Sequence, residues 1–518
     1  KRGVPDREAK LQAGVAVRGS AIGLRERGET VARIEGLERL DAASVELDAS
    51  DEALKVLVAG AGSAAIASKT SVAVAGAVTV VDRDRDISAF LRSGGTGMTV
   101  DTTGPLTLGA RDRSGNYAFA AGVSVAKGKV GVAASGSVVV TVSRTDVGAG
   151  MVGSDSAGIT LAGTPDVSVT AANEAVWFNL AGAAAFGTTA GVGVSVVVAA
   201  IDTVAETTMA HVTGATLDAL KVDALNDVTL NSVAFGLAGA AGKGAAGVGM
   251  VAINAYRSTT HARVEHSDLT VTGSGADDAL RIAATEAGYL GAGAGGVAAS
   301  SGTAAVGVAV AVNVTGEPET RDTEVTVTDS TLAAQTAPLA LLATTDMTLV
   351  SGAIGAAVAS KAAIAGSAAA NRAAVGTRIR VDADSALDAG GAADLLATDR
   401  STFVATGGGL AFSGKAAGGV GIALNLIETP VEIEMDGTFV ADGAAEIVAR
   451  ANQSLVTVAV GGAGSGSFAL GGSIAVTELT GDVSVEVAPA SGTAWTVGDL
   501  DVSATETSSI ISVAGAVG

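Results

Sequence analysis

The chain contains no cysteine, 7 prolines, 3 histidines and only 3% aromatic residues in 518 positions. Without cysteine there is no disulfide framework, no thiolate metal site and no cysteine nucleophile. With so few aromatics, any core has to be assembled from small aliphatic side chains. Charge is scarce as well, at 16% of residues, against roughly 25% in an ordinary domain. What charge there is runs acidic: 53 Asp+Glu against 32 Lys+Arg give a formal net charge of −21. That balance argues against a nucleic-acid binder, which presents a basic patch or stripe to phosphates.

What is present is glycine, 71 residues of it, within a composition that is 48% hydrophobic. A disordered acidic segment would lack the apolar surface to offset its conformational entropy, so the chain is expected to fold. It opens KRGVPDREAK, without an initiator Met or a basic-then-apolar leader, as expected of a processed form or an excerpt. The run VAFGLAGAAGKGAAGVGMVAINA (233–255) approaches the length of a membrane helix, but Lys243 interrupts it and similar runs recur every 50 to 60 residues. No membrane insertion is expected.

Length alone suggests three or four domains of roughly 150 residues, and internal repetition overrides that estimate. A small polar residue follows an alternating apolar run at Asp82, Ser143, Asp202, Asn254, Asn313, Asn371, Asn425 and Thr477, with spacings of 61, 59, 52, 59, 58, 54 and 52. Each period holds at least four extended pieces, illustrated by 289–300, 303–313, 324–330 and 339–345. These are strands rather than helices, because Val306, Val308, Val310 and Val312 alternate with Ala305, Gly307, Ala309 and Ala311 at a period of two. Glycines at that density would also cost a helix about 1 kcal/mol each. Both faces of such a strand are apolar, so both are expected to be covered, with the small face admitting a close neighbour. In register, Asn254, Asn313, Asn371 and Asn425 would form a ladder of side-chain amides.

Short polar or glycine joints separate the first two strands of each copy, among them SKT (68–70), KGK (127–129), SSGT (300–303) and SGS (465–467). Two geometries fit them: the corner of a parallel β-solenoid, or a tight antiparallel hairpin in each of a stack of repeats forming a rod. The solenoid is favoured, because a long array of similar units buries its faces against its neighbours. The expected fold is therefore an all-β, elongated, parallel β-helix-like solenoid. At one or two layers per repeat and about 4.8 Å per layer, eight repeats give roughly 40 to 80 Å.

The sequence of a Gly/Ala run, a short turn, a V-x-V-x-V-N strand, a Thr-bearing strand and L-x-L-x-A pieces resembles the repeat regions of leukotoxin-type and haemagglutinin-like large filamentous bacterial adhesins. Residues 245–273 match best, and the likeness covers roughly 55–510. The resemblance implies an exported, elongated β-solenoid at a bacterial cell surface. The absence of cysteine fits that location.

Catalytic chemistry has little to stand on, and the chain is not expected to be an enzyme. His211, His261 and His266 form no helical metal pair. Gly291, Gly293 and Gly296 satisfy GxGxxG inside a repeated strand, with no helix pattern after it, and GLAFSGKA (409–416) puts Ala416 where a phosphate loop needs Ser or Thr. No cofactor is expected. The weak metal candidates are Asp82, Asp84 and Asp86 in VDRDRD, which share one strand face and would suit calcium, set against a solvated salt-bridge ladder with Arg83 and Arg85 on the other face. Asp277 and Asp278 resemble loop ligands but lack the surrounding calcium-repeat pattern.

The expected organisation is a charged, degenerate terminal repeat or cap at 1–54, about eight repeats at 55–507, and the first strand of an incomplete ninth repeat at 508–518. Residues 24–44 also read as a short amphipathic helix, although strands suit them better. The complementary ends predict end-to-end self-association, or a place within a larger parent chain. The functional expectation is a structural or adhesive stalk or fibre segment that meets a host or neighbouring cell surface. The alternatives are a carbohydrate-active β-helix enzyme and a ligand-binding solenoid for ice or carbohydrate, the last with only Trp177 and Trp495 as large stacking surfaces.

Overall fold

The computed structural model describes residues 12–163, 165–273, 279–316, 323–489 and 494–518, and these contain strands and turns but no helix. Every pairing between strands is parallel apart from one isolated bridge, Ser154 to Ala157. The chain is a β-solenoid, and each sequence period is one coil. Residues 24–44, the segment with helical character, hold no helix: they fall in the strand Ala13–Glu35, the strand Arg39–Ala42 and the connecting residues beside them. Asp277 and Asp278 lie outside the described residues.

A coil has two sides. On the front sheet one long strand per coil, such as Thr70–Arg92, Val130–Val152 or Ala190–Ala210, stacks on its equivalents in the first five coils, and in the last four it divides into two, as in Ala304–Gly316 and Thr323–Thr328. The back sheet carries the return path, either in pieces such as Met98–Thr102, Leu106–Asp112 and Gly115–Lys127 or as one strand such as Leu339–Ala359. That last strand contains both 339–345 and the Gly/Ala run of the following repeat, so two of the four sequence pieces are continuous. Nine front strands at about 4.8 Å each rise about 43 Å, within the expected range. A 23-residue front strand measures up to about 76 Å, so length along the axis comes only from adding coils.

The polar joints are arches that carry the chain from the back sheet to the front sheet. Serine anchors them as its chemistry suggests: Ser465 Oγ donates to the Phe468 carbonyl at 2.6 Å and accepts from the Phe468 amide at 2.8 Å. At the opposite corner His211, His266 and Asp329 follow equivalent strand ends in successive coils and take left-handed φ values of 54°, 48° and 44°.

Two large hydrophobic cores and two small alanine clusters fill the coil. One of the cores, beside the arches, is built mostly of alanine, including Ala77, Ala120, Ala181, Ala199 and Ala311. There the sheets approach so closely that a Cβ at Gly307 would strike the Ala356 carbonyl, and one at Gly419 the Gly462 carbonyl. The other, toward the far corner, uses larger residues such as Ile87, Leu108, Ile282, Leu341 and Ile379. The small face therefore does admit a close neighbour, which is the opposite sheet of the same solenoid. The valine face differs from expectation: Val306 and Val308 point outward and remain 39% and 42% exposed. With one coil per repeat and no third layer, nothing among the described residues covers them.

The amide ladder is present. Asn254 donates to Asn313, Asn313 to Asn371 and Asn371 to Asn425, each at 2.9 Å. Upstream, the register differs from the sequence alignment. The residues in line with Asn254 are Ala199, Thr141 and Val81, so Asp202, Ser143 and Asp82 stand three, two and one positions too late. Inward-facing Thr141 sits inside the apolar run, and that moves the apparent end of the run.

Candidate functional site

Alternation along Thr70–Arg92 puts Asp82, Asp84 and Asp86 on the outer face and Arg83 and Arg85 on the inner one, as the spacing predicts. The three carboxylates stay apart, because residues two apart on a strand are separated by about 6.6 Å. Asp82 instead meets Arg25 at 3.3 Å and Arg27 at 3.8 Å on the neighbouring coil. Asp86 stands in register between Glu29 and Asp146. Partial burial, with the repulsion of Asp146 and Glu29 added, pushes its carboxyl above the usual value. These residues, with Arg33, Arg92 and Glu206, line a shallow outer groove of about 340 Å³. Among the described residues no group of three or more His, Asp or Glu is placed to hold a metal ion.

The inner arginines lead to a feature that residue-type matching misses. Between the two cores runs a buried polar seam, on the back sheet, through Asp51, Asp112, Asn173, Asn226, Glu286, Thr345 and Asp399, each paired in register with the next. At its first end the fully buried Arg83 grips Asp112 with both terminal nitrogens, at 2.8 and 3.2 Å, and reaches Asp51 at 3.1 Å and Thr145 at 2.9 Å. Arg85 adds a bond to Asp51 at 3.1 Å. Burial pushes the Asp51 carboxyl up, and Arg83, Lys55 and Arg85 together more than reverse it, leaving it below the usual range.

Midway along the seam the described partners of the acid are uncharged. Glu286 accepts from Tyr256 Oη at 3.0 Å and from Thr260 Oγ1 at 2.6 Å, while Asn226 donates to Thr203 at 2.9 Å. Burial pushes the Glu286 carboxyl up to about 7, against the opposing pull of hydrogen bonds from Thr260, Ser258, Tyr256 and Asn226. Farther on, Asp399 accepts from Ser401 Oγ and Gln453 Nε2, both at 2.6 Å, and burial raises it too. The carboxylates of the seam are hydrogen-bonded within the protein, whereas both side-chain polar atoms of Asn173 and the Oδ1 of Asn226 are buried without a hydrogen-bond partner. The seam's sequence spacings, 61, 61, 53, 60, 59 and 54, carry the repeat period. Polarity rather than residue identity is the signal that finds it.

The remaining sequence candidates are scattered. His261 lies within the strand Ala245–Glu265, 3.9 Å from Glu324, while the rings of His211 and His266 stack 4.7 Å apart at the corner. Gly291, Gly293 and Gly296 belong to the strand Leu280–Ser300, and Ala416 opens Ala416–Glu428. Trp177 is buried with Arg83 over its ring, and Trp495 packs edge-on against Phe439 and donates to the Gly437 carbonyl. Comparison with protein-family models, with curated proteins and with solved structures finds no match.

Proposed function

We propose that the chain is a structural stalk or fibre segment of a secreted bacterial surface protein, extended by stacking further coils along its axis. The observation that carries this is the steady registry of the front sheet beside the arches. Pairing there continues from Val15 through Val72, Val132, Ala190, Ala245, Ala304, Ala362 and Ala416 to Phe468, although the front strand divides after Gly316, Ala374, Glu428 and Thr480 in the last four coils. A carbohydrate-active solenoid would interrupt its repeats where charged or aromatic side chains converge around a substrate. Here buried charge is spent on holding coils together, and the outer groove is shallow. A fibre role also suits the small-residue composition, which packs thin, uniform coils.

Electron microscopy of the concentrated protein tests this. End-to-end stacks growing in steps of about 43 Å are expected, and no depolymerisation of polysaccharides. Particles that stay single at high concentration, or turnover of a polysaccharide, overturn the proposal.

A further inference from the structure

The outer front face beside the arches is a continuous apolar field. Five outward columns cross the nine front strands, starting at Val15, Val17, Gly19, Ala21 and Gly23 and ending at Phe468, Leu470, Gly472, Ile474 and Val476. Every residue in these columns is Ala, Gly, Val, Leu, Ile or Phe. Five positions at about 6.6 Å and nine coils at about 4.8 Å make a face of roughly 1,400 Å². A monomeric protein rarely exposes more than a few hundred Å² of contiguous apolar surface, and a stable pairing needs only about 800 Å² from each partner.

The relief of this face says what fits it. One column holds six glycines, and over Gly76, Gly136, Gly249 and Gly366 there is open space where a side chain would stand, while outward Val194, Val308 and Val420 fill the other three positions. The adjacent column is a ridge that includes Val78, Val138, Val196, Val251 and Val310. Groove and ridge lie side by side along the solenoid axis, the groove interrupted at Val194, Val308 and Val420. The back face of the same arm is different, because its own Phe186, Phe235, Leu410 and Phe412 cover Gly239, Gly182, Gly462 and Gly464.

We infer that the front valine face pairs with the same face of a second copy of this chain, ridge into groove about a two-fold axis. A second copy has the same coil pitch and column spacing, so its ridge meets the groove at the six coils where that column carries glycine. A two-fold axis makes both halves of the contact equivalent. A lipid surface would need no such grooves. The proposal goes beyond the fibre role, since it pairs segments side by side rather than end to end.

Sedimentation of the intact chain tests it, with Val251→Glu on the ridge, Gly249→Val filling the groove, and Leu237→Glu on the back face as control. Far-UV circular dichroism checks that each variant folds. The expected result is a dimer that both front-face substitutions weaken at least about tenfold and that the control leaves intact. Gly249→Val adds no charge, so it decides the matter if Val251→Glu fails to fold. A monomeric intact chain, dimers indifferent to both front-face variants, or equal loss in the control overturns the inference. So does a chain monomeric in buffer that floats with phosphatidylcholine vesicles, which would assign the face to lipid. End-to-end stacking would survive Val251→Glu, so failure of the pairing and failure of the fibre reading are distinguishable.

Discussion

Asn313 donates its side-chain amide to the Oδ1 of Asn371, one coil away, at 2.9 Å, and both residues are fully buried. Each rung of this ladder depends on the next, and the same nitrogen of Asn313 also reaches the Val350 carbonyl. Replacing Asn313 with Ala removes the acceptor of Asn254 and the donor to Asn371 inside the core. Leaving buried groups unpaired costs about 1–3 kcal/mol each, so Asn313→Ala is expected to lower stability by about 2–4 kcal/mol in urea unfolding. A loss well below 1 kcal/mol would show that the ladder is incidental.

Arg83 presents a sharper test, because it is the one cation gripping both Asp112 and Asp51 at the first end of the seam. Arg83→Leu leaves buried carboxylates without it, at a cost of about 3–5 kcal/mol. In the parent chain the Asp51 carboxyl lies below its usual value of 3.8. Its contribution is therefore present above that value and lost as pH falls through the lower folded value. In the variant burial dominates and pushes Asp51 the other way, so the deficit should narrow on acidification. A deficit that is constant with pH would contradict this account.

Glu286 runs with the opposite sign. Its folded value of about 7 exceeds the ordinary 4.5, so the folded state keeps a proton that the unfolded chain releases. The contribution is complete below about 4.5 and disappears as pH rises to about 7, a change of about 3 kcal/mol. Unfolding curves at pH 5 and pH 8 should differ more in the parent chain than in Glu286→Gln. Identical pH profiles would mean that the carboxylate is charged throughout.

Gly307 and its neighbour Val308 separate the two faces of one strand. Gly307→Leu drives a side chain into the Ala356 backbone across the alanine core and should cost about 2 kcal/mol or more. Val308→Ala trims a half-exposed side chain and should cost about 1 kcal/mol or less. Thermal melts that rank the two in the other order would refute the close contact between sheets.

The solenoid and the ladder from Asn254 to Asn425 were legible because identical residues recur at a steady period with a two-residue alternation. Registry upstream was not, since Thr141 and Ala199 replace the asparagine with residues that do not stand out from the run. The seam stayed hidden for a related reason: Asp112, Asn173, Glu286 and Thr345 share a position and a need for partners, but not a side chain. The exposure of Val306 was illegible because an apolar face reads the same whether a chain covers it or leaves it open. VDRDRD showed which residues share a face, and its Asp82 pairing with Arg25 depended on a coil that the sequence places 57 positions away.

One coil per repeat also sets the grain at which such a protein can change length. Deleting residues 304–361 would join Thr303 to Ala362, which occupies the position of Ala304 one coil farther on. The neighbouring coils would meet across the cut with their alternation intact. A deletion of half a coil would instead bring a front strand against a back strand and turn core alanines toward solvent. Recombination between repeats can therefore lengthen or shorten the molecule freely, provided that it exchanges whole turns.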